Sequence, residues 1–525
     1  MRRLAAPPLR IKEVRASNFR ALGEARLELG DMTALIGSNG SGKTAILLAI
    51  ARFFSKACTM NPANFGRKDL PIKVTVVAEG EGREAAEVTR EWHLDKNRGK
   101  AVSMGYSCGD RTADGLGDFL GARVVYVPAG HEPDKGGRDT VLQSLIDNVA
   151  GRQAAGGAER EGPRGVAADD LGRVEETINK KLGARDGIGY SPSICVRLRF
   201  GDPVGRTGLM MAITDRETGR ELDYAHVGHG ARRALHMAAL ETDADILGGG
   251  RAGEGAGHGA ATLYVIDEPE LHQHPKRQDL IFAALRRLSE GPSSQVVYAT
   301  HSPRLVALGT QMVIRRVERD GETIRVRGAG GSPVRGGVTR PIGEAIFANG
   351  AVLVEGHHDE AIIRAVLQAT PHNGGSLMAA LASREITVVD CRSKYNIGHY
   401  YGTLAPLGIR CFVVWDGDMD TTERPALHQA KRENEKLLEM VGEDPEKAQE
   451  IVDSGRGDCM AGENWACFGH NLPAYFAECF HKRAGDLVGI IGRGEDVGQW
   501  LDRETLFQSK FYREAVPGIR QTLIG

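Results

Sequence analysis

Short apolar runs alternate along the chain with segments whose apolar residues recur at helical spacing, a pattern typical of α/β construction. The first clear instance is the apolar run Met32–Ile36, which a glycine-rich turn separates from an apolar stretch at 45–54. This order predicts a strand, a loop and a helix. Later in the first half, strands are predicted at 74–77, 88–92, 102–107, 124–127, 193–200, 209–214, 263–266 and 295–299, and a helix at 276–288.

A second α/β set follows a Gly-rich break at 328–338, which predicts a domain boundary. In this set the pattern predicts strands at 351–354, 386–389 and 410–415 and helices at 359–369 and 397–407.

Two stretches of the first half depart from the alternation. Within 139–187, helical spacing at 141–149 and 171–182 predicts a projecting pair of helices, either a plain surface insertion or a dimer-forming element. The glycine-rich run at 247–260 is predicted to be a linker, because it has little to bury.

Composition narrows the class of protein. The chain has 525 residues, 41% hydrophobic and 26% charged, which fits a globular protein of two to four domains at roughly 100–200 residues each. No run of about 18 apolar residues predicts a membrane span, and the basic start lacks the apolar core of a signal peptide. Eight cysteines without a CxxC pair argue against a zinc site or disulfide framework and predict a reducing, cytoplasmic location.

Charge and arginine content bear on possible partners. The net charge is −2, so a polyanion would have to meet a local basic patch. Of the 67 basic residues, 50 are arginines and 17 are lysines, which is compatible with phosphate contacts without locating them.

The glycine turn after the first apolar run is a full phosphate loop, GSNGSGKT at 37–44. Its glycines permit a tight anion nest at a helix N-terminus, Lys43 reaches the terminal phosphates, and Thr44 can hold Mg²⁺. We therefore predict ATP binding. The loop residues assigned to the nucleotide are Asn39, Gly40, Ser41, Gly42, Lys43 and Thr44.

The rest of a nucleotide site follows two later strands. The strand at 263–266 runs into Asp267 and Glu268, the Walker B arrangement. Asp267 is predicted to bind nucleotide-associated Mg²⁺ with Thr44, and Glu268 to orient and deprotonate the attacking water. The next strand ends before His301, which we expect to contact the γ-phosphate.

Acidic residues follow two strands of the second half. Glu355 ends one strand and precedes Asp359 at a helix start, while Asp416 and Asp418 follow the strand at 410–415. Parallel strands would bring these carboxylates together, although Asp416 lies 61 residues after Glu355 (416 − 355). Clustered carboxylates repel one another unless divalent cations neutralise them, so we predict two Mg²⁺ or Mn²⁺ ions about 4 Å apart, held by Glu355, Asp359, Asp416 and Asp418.

The first half resembles the ABC-type ATPase heads of the SMC, RecF and DNA-repair group. Asn18-Phe19-Arg20 before the phosphate loop and Glu270-Leu271-His272 after Walker B are similar to that group and not to transporters, so no membrane partner is expected. Two departures stand out. The signature segment reads VGHGARR at 227–233, without the usual serine, and its Gly228, His229 and Gly230 are assigned to the nucleotide. No glutamine precedes Gln143, which leaves Asn61 or Asn64 as a substitute Q-loop residue.

The acidic pair of motifs resembles the Toprim domain of topoisomerases, primases, recombination proteins and some nucleases. The resemblance makes Glu355, Asp416 and Asp418 catalytic. Glu463 and Lys510 are further candidates, the lysine because it could offset charge in the transition state. His357 and His358 could bind metal, although a first-turn surface position is the simpler interpretation.

An ABC-type head followed by Toprim in one chain resembles the OLD (overcoming lysogenization defect) nuclease family. The resemblance implies an ATPase head at 1–138 and 188–335, an inserted dimerisation segment at 139–187, and a Rossmann-like Toprim domain at 345–525. It also implies a homodimer that nicks or cleaves DNA with Mg²⁺ or Mn²⁺ in phage defence or DNA repair, with ATP controlling conformation or engagement with DNA.

Other functions stay open at this stage. The same enzyme could cleave RNA such as tRNA, because metal-assisted hydrolysis does not depend on the sugar unless the 2′-OH is read. A non-cutting ATP-driven DNA clamp would have a degenerate Toprim site, which the intact acidic residues argue against. A topoisomerase would need a tyrosine nucleophile; Tyr395, Tyr400 and Tyr401 are present, but no breakage-reunion domain accompanies them.

Overall fold

A computed structural model shows two compact units, Met1–Val334 and Arg335–Gly525. The structure describes residues 9–55, 60–80, 83–95, 100–116, 120, 122–130, 168–183, 191, 193–200, 209–222, 227–249, 261–291, 293–306, 312–321, 323–328, 340–419, 422–454 and 459–524.

The described part of the first unit mixes strands and helices, as the alternating pattern predicts. The strands are β1 (Arg10–Phe19), β2 (Leu22–Glu28), β3 (Met32–Ile36), β4 (Ile72–Gly80), β5 (Arg83–Asp95), β6 (Lys100–Cys108), β7 (Arg111–Ala113), β8 (Ala122–Val127), β9 (Ile194–Phe200), β10 (Leu209–Asp215), β11 (Glu221–Leu222), β12 (Ala261–Asp267), β13 (Ser294–Ala299), β14 (Val313–Asp320) and β15 (Thr323–Arg327). The helices are α1 (Lys43–Phe54), α2 (Ala168–Leu182), α3 (His229–Gly249) and α4 (Pro275–Ser289).

The sheet that positions the nucleotide site has the order β15-β14-β3-β13-β12-β8 and is parallel except for the β14–β15 pair. Every residue of β3, β12 and β13 is buried. Continuous apolar runs of this kind are expected where helices or a second sheet cover both faces of a parallel sheet. Because β3, β13 and β12 are neighbours, their carboxyl ends meet at one edge.

An antiparallel sheet, ordered β2-β1-β4-β5-β6-β7, completes the core of this unit together with α1. Alternate residues of β4 are buried, and Val14 of β1 pairs with Val76 of β4. The sequence pattern did not predict β1, β2, β14 or β15.

Helix α2 was predicted as half of a projecting pair, but it lies against strand β9. The Asn179 side chain donates to the carbonyl of Val196 (2.7 Å) and accepts from its N–H (2.7 Å). Val174, Ile178 and Leu182 are buried, so this helix does not project. The partner helix predicted at 141–149 lies outside the described residues.

The glycine-rich linker begins later than predicted. Helix α3 continues to Gly249, so residues 247–249 are helical and not part of a linker. Glycine disfavours helix by only about 1 kcal/mol per residue, which a helix with a long buried face can absorb. The remainder, 250–260, lies outside the described residues.

The second unit is a second α/β sheet structure. Its described strands are β16 (Gly350–Val354), β17 (Pro371–His372), β18 (Gly375–Ser376), β19 (Ile386–Asp390), β20 (Arg410–Asp416), β21 (Cys459–Ala461) and β22 (Trp465–Phe468). Its described helices are α5 (Arg340–Ala345), α6 (His357–Ala369), α7 (Leu377–Ala382), α8 (Lys394–Leu404), α9 (Arg424–Met440), α10 (Pro445–Ser454), α11 (Leu472–Cys479), α12 (Ala484–Gly492), α13 (Arg503–Gln508) and α14 (Lys510–Ile524).

The main sheet of this unit has the order β19-β16-β20-β22-β21, with β21 antiparallel and the others parallel. Strand β16 is buried throughout and pairs with β19 on one side and β20 on the other. The carboxyl ends of β19, β16 and β20 are therefore adjacent. The sequence predicts this for β16 and β20. None of the helices in the described ranges is long and apolar enough to cross a membrane.

A buried arginine, Arg90, stabilises the C-terminal end of helix α1 in the first unit. The Arg90 guanidinium donates to the carbonyls of Arg52 (3.0 Å), Phe53 (3.0 Å) and Ser55 (2.7 Å), which lack partners in the helix itself. It also lies 4.8 Å from the ring centroid of Trp92. Since the other end of α1 carries the phosphate loop, Arg90 stabilises the helix on which that loop depends.

We expect Arg90→Ala to lower the free energy of unfolding of this unit by about 3 kcal/mol, because several buried carbonyls lose a charged donor. Urea denaturation followed by circular dichroism measures the effect. The matched control is Arg67→Ala, which removes an exposed pair with Asp69 and should change stability by less than about 0.5 kcal/mol. Equal losses in the two variants would contradict the role of Arg90.

Candidate nucleotide and carboxylate sites

The phosphate loop joins β3 to α1 in a backbone conformation that requires glycine. Gly37, Gly40 and Gly42 have φ angles of 144°, 76° and 108°. A Cβ on Gly42 would lie 2.1 Å from the Ile324 side chain, and one on Gly37 would lie 2.3 Å from a backbone oxygen. Asn39 and Gly40 are exposed at the turn, whereas Ser41 is buried.

Lys43 lies in the first turn of α1 and is largely buried. Its Nζ donates to the carbonyls of Gly37 (2.8 Å) and Ser38 (3.0 Å), which hold the ammonium inside the loop. Burial lowers the pKa of Lys43, and the nearby acidic residues of Walker B oppose that shift. A phosphate group would supply the counter-charge that the loop carbonyls only partly provide.

Asp267 ends strand β12 and accepts a hydrogen bond from Thr44. Burial raises the pKa of Asp267, and the Thr44 bond opposes the shift. Its Oδ1 is buried and has no hydrogen-bond partner among the described residues. A buried carboxylate oxygen that lacks a donor and lies beside a hydroxyl fits the predicted Mg²⁺ site.

Glu268 and His301 meet where β12 and β13 end. The Glu268 backbone is left-handed, with a φ of 46°, and its Oε1 lies 4.0 Å from Nε2 of His301. Burial, followed by the charge of Lys43, lowers the pKa of His301 and so favours its neutral form. The predicted general base and the predicted γ-phosphate contact are therefore neighbours.

Glu270 is a site residue to which sequence reasoning gave no role. One carboxylate oxygen accepts from the hydroxyl of Thr300 (2.8 Å) and the backbone N–H of His301 (2.7 Å). Burial raises its pKa. Glu270 thus ties the loop after Walker B to the loop that carries His301, a link that depends on β12 and β13 being neighbours.

The signature segment starts helix α3 and is attached to the Walker B region of its own chain. The Gln273 side chain donates to the carbonyl of Gly230 (2.9 Å), and the rings of His229 and His272 lie 5.0 Å apart. Arg233 donates to the carbonyl of Asp267 and to that of Pro128 (3.0 Å).

Burial lowers the pKa of Arg233 to about 10, which leaves it protonated at neutral pH. Contact of Gly228, His229 and Gly230 with a nucleotide stays a prediction. So does the Q-loop role of Asn61 or Asn64; the backbone N–H of Asn61 donates to Oδ1 of Asn64 at 3.0 Å.

The structure brings the predicted carboxylates of the second unit together. Glu355 follows β16 and Asp416 ends β20, and the backbone N–H of Asp416 donates to Oε2 of Glu355 at 3.3 Å. Asp359, in the first turn of α6, accepts from the N–H of Gly356 at 2.9 Å. Asp418 has a left-handed φ of 53° and a side chain that is 58% exposed.

Burial raises the pKa values of Glu355, Asp359 and Asp416. Repulsion from Glu355 raises the pKa values of the two aspartates further, whereas the charge of Lys394 opposes the shift of Glu355. Asp390, at the end of β19, adds to the repulsion on Asp359. A cluster of like charges in a buried setting is unfavourable unless a cation neutralises it.

Lys394 contacts this cluster with its ammonium group and was not among the residues predicted from the sequence. Its side chain is 5% exposed, and its Nζ donates to the carbonyl of Asp416 (2.6 Å) and to Oδ2 of Asp418 (3.1 Å). A usable signal existed, because Lys394 closely follows β19, a third parallel strand ending at the same edge.

The other predicted residues are placed differently. Glu463 precedes β22 and is exposed at the opposite edge of the sheet, so its expected place near the cluster is wrong. Lys510 begins α14; its neighbour Phe511 packs 5.5 Å from Phe468, which pairs with Asp416. The role of Lys510 stays a prediction, as no recorded polar contact in the described chain joins it to the carboxylates.

The residues of the carboxylate cluster are of the kind that binds divalent cations, but their side chains are not spaced as a ready set of metal ligands. Among the described residues, no three His, Cys, Asp or Glu side chains are arranged to hold a metal ion as they stand. The donors are nevertheless carboxylate oxygens, the ligands that Mg²⁺ and Mn²⁺ prefer. By the chemistry of its donors, the cluster of Glu355, Asp359, Asp416 and Asp418 is suited to a divalent cation, whose remaining ligands can be water.

Comparisons with known proteins agree with this division into two sites. An AAA ATPase domain family matches residues 10–95 and 168–306, and the family described as overcoming lysogenization defect protein-like, TOPRIM domain, matches residues 346–418. The chain is thus an enzyme that combines an ATPase domain with a Toprim nuclease domain. The resemblance to the OLD family is confirmed.

Two curated relatives are OLD nucleases. One, from Thermus scotoductus, is 26% identical over 478 residues, covering 81% of this chain and 85% of the relative. The other, from Escherichia phage P2, is 22% identical over 347 residues, 57% of each. A solved SMC head bound to the C-winged helix domain of ScpA is also similar, with 16% identity, a TM-score of 0.41, and coverage of 61% of this chain and 98% of that one.

We expect Asp416→Asn to raise the melting temperature of the metal-free protein at pH 8. The raised pKa of Asp416 means that ionising it in the folded state is unfavourable, so its destabilising effect is present at high pH. That effect disappears below the unfolded-state value of about 4. The amide oxygen can still accept the 2.8 Å hydrogen bond from the N–H of Leu472.

Thermal melts in EDTA should therefore show the largest gain at pH 8 and a smaller gain at pH 5. The control Asp453→Asn alters an exposed ion pair with Lys431 and should change little. A gain independent of pH would show that charge repulsion is not its cause.

Proposed function

We propose that this protein is an ATP-regulated, Mg²⁺- or Mn²⁺-dependent endonuclease that nicks or cleaves DNA at its Toprim unit. The observation that supports this most strongly is the convergence of Glu355 and Asp416 at neighbouring strand ends, with Asp359 and Asp418 beside them. Bound divalent cations, two in the proposed arrangement, would activate water and stabilise the leaving oxygen of a phosphodiester.

The side chains contribute distinct parts of this activity. Glu355 is held by the backbone N–H groups of Asp416 and Lys394, so its carboxylate is oriented before a cation arrives. Asp416 is fixed by the N–H of Leu472. Asp418, more exposed than either, is placed to meet both a cation and a phosphate from solvent.

ATP has a regulatory role in this proposal, since hydrolysis of a phosphodiester does not require it. Lys43, Thr44 and Asp267 would hold the Mg²⁺–nucleotide, and Glu268 would activate water. Glu270 and Arg233 attach His301 and the signature helix to the Walker B strand. A change at the γ-phosphate would therefore be transmitted to α3 within the first unit.

The oligomeric state and biological setting belong to the same proposal. A homodimer joined through the ATPase heads and the inserted segment 139–187 would let Gly228, His229 and Gly230 serve a partner's nucleotide. Phage defence or DNA repair is the proposed setting. Sedimentation velocity with and without ATP measures the association.

RNA is the competing substrate. Nothing in the carboxylate cluster discriminates against a 2′-OH, and hydrolysis at a metal site proceeds on either sugar. Parallel incubation of plasmid, linear DNA and tRNA with each metal, with and without ATP, decides between them. Cleavage of tRNA alone would replace the DNA assignment.

Asp418→Ala is expected to abolish Mg²⁺- and Mn²⁺-dependent plasmid nicking, because a cation ligand at the reaction centre is removed. ATP hydrolysis should stay at the wild-type rate, since Asp418 belongs to the other unit. Agarose gels report nicking and phosphate release reports the ATPase. Wild-type nicking by Asp418→Ala would refute the assignment of the cluster.

Lys43→Ala should give the complementary result, with ATP turnover reduced to background, because the loop loses the ammonium that meets the terminal phosphates. Lys68→Ala, an exposed lysine of the same unit, is the matched control and should hydrolyse ATP normally. Persistent hydrolysis by Lys43→Ala would rule out the phosphate loop as the catalytic nucleotide site.

A further inference from the structure

Lys394 already occupies the cation-binding side of the carboxylate cluster. Its Nζ lies 3.1 Å from Oδ2 of Asp418 and 2.6 Å from the carbonyl of Asp416, and its side chain is 5% exposed. Its backbone N–H also donates to Glu355. One residue thus contacts three of the acidic residues assigned to the metal site.

The ammonium and a divalent cation cannot share Asp418 without strong repulsion. Two positive charges at one carboxylate repel each other, and the repulsion is stronger where the site is partly buried than in water. We propose that Lys394 is a built-in competitor for a divalent cation at Asp418, so that the ammonium must release this carboxylate before the cation binds. This inference rests on the proposed metal-dependent nuclease function.

The two contacts of Lys394 differ in a way that permits release. Asp418 is 58% exposed, so water can replace the ammonium as its partner, and ion pairs of this kind are weak. The carbonyl of Asp416 is a neutral acceptor on the ordered end of β20. Release of Asp418 therefore breaks the exposed contact of Lys394, which is its ion pair with Asp418.

The competition has a functional consequence. Without divalent cations, the ammonium partly neutralises the cluster and holds Asp418 in an ion pair. The Toprim site would then fill only when the free cation concentration is high enough to displace Lys394. Lys394 thereby sets the cation concentration at which the nuclease becomes active.

Mn²⁺ binding to the full-length, nucleotide-free protein tests this directly, by electron paramagnetic resonance or calorimetry. Lys394→Met keeps a side chain of similar length without charge and should bind Mn²⁺ about tenfold more tightly. Lys394→Arg keeps the charge and should bind as weakly as wild type. Lys431→Met, which removes a half-buried lysine paired with Asp453, is the matched control and should bind like wild type. Equal or weaker binding by Lys394→Met overturns the proposal.

A measurement on the wild-type protein avoids any folding defect of the variants. Acetylation of lysines with an amine-reactive ester, read by mass spectrometry, should modify Lys394 more slowly in EDTA than at saturating Mn²⁺, because the cation breaks the ion pair with Asp418. An unchanged rate at saturating Mn²⁺ overturns the inference. If wild type binds no Mn²⁺ and cuts no nucleic acid, the proposed function itself fails. If it binds and cuts while Lys394→Met binds identically, only the competition is refuted.

Discussion

Both sites depend on one constraint, which is that the central strands of each sheet are buried on both faces. Polar chemistry is then confined to the strand ends, because a buried charge within β12 or β16 would lose its hydration without compensation. Parallel pairing places those ends at one edge. Asp267 and the phosphate loop meet in the first unit for this reason, and Glu355 and Asp416 meet in the second for the same reason.

The two sites also share an arrangement of charged side chains. Each edge concentrates buried carboxylates, and each holds a largely buried lysine that donates to main-chain carbonyls. Lys43 is held by the loop carbonyls of Gly37 and Ser38, and Lys394 by the carbonyl of Asp416. Because these carbonyls are neutral acceptors, they do not cancel the positive charge of the ammonium. That charge can therefore attract a phosphate or compete with a cation.

Local sequence patterns were sufficient to predict the strands and helices that carry these sites. The predicted strand Met32–Ile36 has the observed bounds, and the helices after the phosphate loop and after Glu355 begin within two residues of their predicted starts. Strands β1 and β2 were missed because charged residues interrupt their apolar positions, so each strand is weak as a local pattern. They are strands because β4 pairs with β1, and β1 in turn with β2.

The sequence by itself determined the chemistry: a phosphate loop, a Walker B pair and two acidic motifs are contiguous runs whose spacing follows from one strand and one turn. Only the tertiary structure decided which residues join them from elsewhere in the chain. Glu270 reaches His301 because β12 and β13 are neighbours, and Lys394 reaches Asp418 because β19 and β20 flank β16. Such partners are distant or unpatterned in sequence, and strand order, which no local signal encodes, brings them into contact.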